Sequence, residues 1–158
     1  MCKSLTPYML VLGPILLMVG FITLPDFEGV LGQEYLDEVK ALDNNMTIFK
    51  IFIVAIGVLM IFGGLFLLSQ DLMANSGKVQ RDLLLMSRIG FMFAFTVFYL
   101  FFALQLESIA IAQGENDVYA GDTTLADELA LDTHYMAESI WNSMPIAWGT
   151  ALILFGIA

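Results

Sequence analysis

Cysteine is almost missing from this chain: Cys2 stands alone, which excludes an internal disulfide and any paired-thiol redox or zinc site. It is read as a bystander thiol rather than an acylation site. Histidine is as scarce. His134 is the only imidazole, so the chain cannot supply both axial ligands of a bis-histidine haem. Neither H-E-x-x-H nor G-x-x-x-x-G-K-[ST] occurs. The apolar segments hold no serine paired with a base and no run of carboxylates suited to two metals. These absences point away from catalysis by this chain alone and imply no cofactor.

Positive charge is short as well. Six Lys and Arg face 16 Asp and Glu, a formal net charge of -10, which argues against nucleic acid as a partner and against a polybasic grip on anionic lipid. Cations are the more natural counterparts.

What the chain has in abundance is apolar sequence, at 59% hydrophobic residues. Four runs lack ionisable side chains through their centres: Pro7 to Leu24, Ile51 to Ser69, Ile89 to Leu106, and Met144 to Ala158. A helix needs about 20 apolar residues to cross a bilayer, and lipid leaves an unpaired backbone only a helix or a closed barrel. The expectation is an all-α integral membrane protein of one domain, a four-helix bundle with spans near 7–24, 51–69, 89–110 and 144–158. Lys3 ahead of an apolar stretch looks like a secretory signal, but the run to Leu24 outlasts an h-region of about 7 to 15 residues and meets Pro25 and Asp26. It is read as an uncleaved first span. The last run is short of a full crossing, which suggests a C-terminus truncated in this sequence, or a span that begins nearer Ile140 and tilts.

Lys3, Lys78, Arg81 and Arg88 flank one side of the spans, so the positive-inside rule puts the N-terminus and the 70–88 loop in the cytoplasm of a cell-membrane protein. Segments 25–50 and 111–143 then lie outside and carry 13 of the 16 acids. Each is expected to form an amphipathic helix. In the first, Leu31, Tyr35, Val39 and Leu42 share a face, with Asp37 and Lys40 turned away. In the second, Leu125, Leu129, Met136, Ile140 and Met144 share one, started by Thr124 and Asp127 in a capping-box pattern. Pro145 marks a kink or the first turn of span four. Trp141 and Trp148 fit an interfacial belt. The stretch beginning at Asp37 (DEVKALDNNM) faintly echoes the one beginning at Asp127 (DELALDTHYM), a resemblance that chance accounts for better than duplication.

Within the spans, Gly13 and Gly20, Gly57 and Gly64, and Gly149 and Gly156 recur at seven residues, as do Thr96, Ala103 and Ala110. Seven residues is two turns, so each helix offers a smooth strip for helix packing. Span three also carries Phe91, Phe95, Phe98 and Phe102 in a stripe continued by Gln105, expected to face lipid or a partner subunit. Glu107, Gln105 and Thr96 are the candidates for an ion or polar path, although Glu107 reads more simply as an interfacial carboxylate. Asp127, His134 and Glu138 share a helix face and form a weak candidate metal site.

Two functions remain. The first is a non-catalytic tetraspan accessory or scaffold subunit, engaging other membrane proteins or itself through its aromatic third span and acidic outer helices, with the lipid bilayer as its other partner. The second is a small oligomeric cation transporter or channel with an acidic outer vestibule. The lack of polar residues at the span centres favours the first.

Overall fold

The computed structural model describes residues 5–24, 32–115 and 122–158. Readings placed on Cys2, Lys3, Pro25, Asp26 and Leu31 lie outside them. The described residues form five helices: α1 Thr6–Thr23, α2 Gln33–Lys40, α3 Asn44–Met73, α4 Lys78–Ala112 and α5 Thr123–Ile157. All except α2 are long and apolar enough to cross a membrane.

Local sequence chemistry sets the ends. Asp43 accepts from Met46 N at 3.1 Å and starts α3, while Gln80 Oε1 accepts from Gly77 N at 3.2 Å at the start of α4; both satisfy donors that a helix start leaves over. The helix α4 ends where Gly114, at φ 73°, lets Gly114 N reach Ile111 O and Glu115 N reach Ala110 O. Only glycine takes that left-handed turn at no steric cost. Lys50 Nζ donates to Thr23 O at 2.7 Å, putting a cation on the carbonyl end of α1.

Three expected boundaries move. The 70–88 loop shrinks to the turn 74–77, because α3 and α4 extend past their apolar runs into it. The second amphipathic helix and the fourth span are one 35-residue helix, about 52 Å at about 1.5 Å per residue. Asp122, accepting from Leu125 N at 3.1 Å, caps it in place of Thr124, and the helix continues through Pro145. The two echoing stretches also differ, since the first is broken between α2 and α3 at Asp43 while the second is helical throughout.

The long helices pack in the order α1, α3, α4, α5, with α4 against α5 and α1 against α3 as the broadest contacts. The α1 to α3 contact closes on glycine. A Cβ on Gly57 would stand 2.8 Å from Leu17 N and 3.0 Å from Gly13 O, and one on Gly13 would stand 2.9 Å from Ile61 N. Gly20 and Gly64 likewise leave no room for a Cβ, against Val54 and Leu10. Gly149 and Gly156 do not pack: nothing lies within 4 Å of where their Cβ would be. The small residues that α5 turns inward are alanines, with Ala151 set against Gly90. The strip of Thr96 and Ala103 on α4 is exposed for the same reason, because the opposite side of that helix faces inward.

That inward side is the aromatic stripe, and its expected exposure to lipid is overturned. Phe91, Phe98 and Phe102 are buried and Phe95 packs against the core. Phe62 of α3 meets Phe91 and Phe98, Trp148 of α5 meets Phe62 and Phe98, and Phe155 meets Phe91, with ring centroids 5.5 to 6.4 Å apart. Large rings fill the wide space between three helices that alanines alone would leave empty. Trp141 joins this set through Phe98 and Phe101, and touches α1 at Phe21.

Candidate functional site

Polar side chains gather inside the protein where α2 meets the C-terminal turns of α4 and the first half of α5. Eight residues make too short a helix to stand alone in water, so α2 depends on what holds it. Its buried face is Tyr35, Leu36 and Val39, as the apolar spacing requires. Its ends are also tied. Gly32 N donates to Tyr135 Oη at 3.3 Å. Gln113 Nε2 donates to Val39 O at 3.0 Å and Leu42 O at 3.2 Å, covering the carbonyls α2 leaves open. Lys40 pairs with Asp127 at 2.7 Å.

The centre of the site is a relay of hydroxyls. Ser108 Oγ donates to Ala130 O at 2.7 Å and lies 2.8 Å from Tyr35 Oη. A serine hydroxyl has one proton, so Tyr35 is the donor of the second bond. The Tyr35 ring stacks on the imidazole of His134, with centroids 3.9 Å apart and planes 19° from parallel. The imidazole is 1% exposed, and its Nδ1 lies 3.4 Å from the amide of Gln105, itself buried. Burial pushes the Tyr35 phenol up to about 12, helped by the nearby Glu138 carboxylate and opposed by the bond to Ser108. The phenol is therefore neutral at physiological pH and serves as a hydrogen-bond donor.

This arrangement corrects two sequence readings. His134 does not share a solvated acidic face with Asp127 and Glu138: it is inside, Asp127 is bound to Lys40, and no metal-holding group of three or more His, Cys, Asp or Glu occurs among the described residues. The face expected to be apolar is partly turned out, with Leu125 and Met136 exposed. The side that α5 buries is Ala126, Ala130, His134 and Ala137, since close approach to α4 admits small side chains and one flat ring. The path of Thr96, Gln105 and Glu107 also fails to assemble. Gln105 is buried against His134, whereas Thr96 and Glu107 are exposed.

The Tyr35 to Ser108 bond escaped the sequence reading because it joins residues 73 apart in the chain. A signal existed: Ser108 follows Gln105 by three residues, so both continue the Phe stripe, and a stripe that ends in polar groups marks the place where a buried core meets polar partners. Compared with protein-family models, with curated proteins and with solved structures, the chain matches none of them.

Proposed function

We propose that this chain is an integral membrane protein, a four-helix bundle whose N-terminus and 74–77 turn face the cytoplasm, acting as a non-catalytic accessory or scaffold subunit of a membrane assembly. The observation that carries this reading is the aromatic packing of Phe62, Phe91, Phe98, Trp148 and Phe155, which occupies the space between α3, α4 and α5 where a polar path would have to run. Ser69 and Ser87, buried at the other end, bond back to carbonyls of their own helices, while the buried Tyr35, Ser108, Gln105 and His134 gather around α2. They support a rigid outer cap rather than a passage.

Because the aromatic stripe is internal, partners would meet other surfaces. The first half of α5 offers Leu125, Tyr135 and Met136, all exposed beside the exposed acids Glu128 and Asp132. A shallow depression there is lined by Asp132, Tyr135, Met136 and Ser139. Apolar side chains displayed among charges on a water-side helix suit a protein contact. The transporter reading has less support, since Thr96, Gln105 and Glu107 do not line a common path.

Purification from native membranes in mild detergent, followed by mass spectrometry of what co-purifies, tests the proposal. Stoichiometric recovery of a second membrane protein, lost on Met136→Asp, is the expected result. A homo-oligomer that passes cations when reconstituted in liposomes would overturn it.

A further inference from the structure

Arg88 is a cation near the 74–77 turn, and no carboxylate among the described residues pairs with it. It is half-buried, ten residues along α4, immediately before the apolar run that begins at Ile89. Its guanidinium carbon lies 4.0 Å above the Phe66 ring, and Nη1 lies 3.8 Å from Met73 Sδ. Its Nε is buried without an acceptor. Asp71 and Asp82, the acids of this end, are both exposed, and Arg88 forms no ion pair with any described residue. The buried hydroxyls of this end are engaged elsewhere as donors, Ser87 on Leu84 O and Ser69 on Phe66 O.

A guanidinium presents five donors in a planar fork, and a thioether and a ring face satisfy neither its charge nor most of those protons. One ligand class matches the remainder: an oxyanion with two oxygens placed for a bidentate contact, which is the geometry of a phosphate. On the membrane reading above, on which this inference rests, Arg88 stands at the junction of headgroups and hydrocarbon, where its stem lies along apolar side chains and its head reaches the interface. We propose that Arg88, positioned by Phe66 and Met73, binds the phosphodiester of a phospholipid in the leaflet beside the 74–77 turn. This is one specific contact, made without a polybasic patch.

The chain has two arginines, Arg81 and Arg88, so Arg81→Gln leaves Arg88 as the only source of guanidinium signal. That variant, with nitrogen-labelled arginine, is reconstituted in phosphatidylglycerol and phosphatidylcholine bilayers, and dephasing of the lipid phosphorus by guanidinium nitrogen is measured by solid-state NMR. Dephasing that reports direct phosphorus to guanidinium contact is expected in both lipids. Its absence in a chain that resists alkaline carbonate extraction would overturn the lipid site alone, whereas extraction by carbonate would overturn the membrane reading with it.

A second measurement separates the sources of phosphate. In detergent, phospholipid is expected to raise the melting temperature of the unaltered protein, while Arg88→Met, which keeps an apolar stem against Phe66, loses that rise and Arg88→Lys keeps part of it. An equal rise with a phosphate-free galactolipid, or with inorganic phosphate alone, would overturn the assignment to a phospholipid.

Discussion

Tyr35 and Ser108 meet in a 2.8 Å hydrogen bond in which the phenol must be the donor, because the serine proton is already given to Ala130 O at 2.7 Å. One short helix is thereby fastened to the two longest through a single shared oxygen. The polarity of that bond decides what each substitution leaves behind.

Ser108→Ala strips a buried phenol of its acceptor, whereas Tyr35→Phe removes the donor and leaves Ser108 bonded to Ala130 O. Unsatisfied buried donors cost about 1 to 3 kcal/mol and an ordinary hydrogen bond contributes about 1 kcal/mol. Ser108→Ala is therefore expected to lower the detergent melting temperature more than Tyr35→Phe. The double variant should recover part of the loss, since no orphaned hydroxyl remains.

The raised phenol fixes a direction with pH. Tyr35 is held up to about 12 against an ordinary 10.0, so the folded state keeps its proton more tightly than the unfolded chain does. Its contribution is complete below pH 10 and is lost as pH rises from there through about 12. Phenolate absorbance during an alkaline titration should show a late-titrating component that is lost in Tyr35→Phe. Proteolytic cleavage near α2 should rise over the same interval.

Glycines with the same spacing should behave differently. Gly57→Leu drives a side chain into the backbone of α1 at Leu17 and Gly13, while Gly149→Leu enters open space. The first should prevent recovery of a monodisperse protein in detergent or cost several degrees of melting temperature. The second should leave the isolated chain's melting profile unchanged.

Phe98 touches Phe62, Phe102, Trp141 and Trp148. Phe98→Ala opens a cavity among them and should cost about 3 to 5 kcal/mol. Phe93→Ala, an exposed phenylalanine on the same helix, is the control and should be close to neutral in detergent.

The pair between Lys40 and Asp127 is partly exposed, at 40% and 29% of the two side chains. Such a pair contributes about 0 to 1 kcal/mol, so Lys40→Met should barely move the melting temperature. If α2 docking depended on charge more than on Tyr35, that substitution would release α2, detectable as new amide exchange across Gln33–Lys40.

Much of this was legible in the sequence. Long apolar runs of about 20 residues specify helices of spanning length; α1 matches its run, and α3 and α4 contain theirs and extend beyond them. The buried face of α2 followed from the spacing of Tyr35 and Val39. The glycines of α1 and α3 were legible as smooth strips, but not which helices they face, since Gly149 and Gly156 share the interval and meet nothing.

What periodicity could not give was the direction in which a stripe points. An aromatic row is equally apolar toward lipid and toward other helices, so the spacing of Phe91, Phe98 and Phe102 specified a face without saying what it faces. The same ambiguity hid His134, which the pattern of acids placed in water and which the stack on Tyr35 places inside. The sequence by itself determined that there would be four long apolar helices and few bases. Only the tertiary structure decided that α4 turns its rings inward, that α5 meets it along alanines, and that Arg88 has no ion pair among the described residues, because those facts depend on which helices are neighbours.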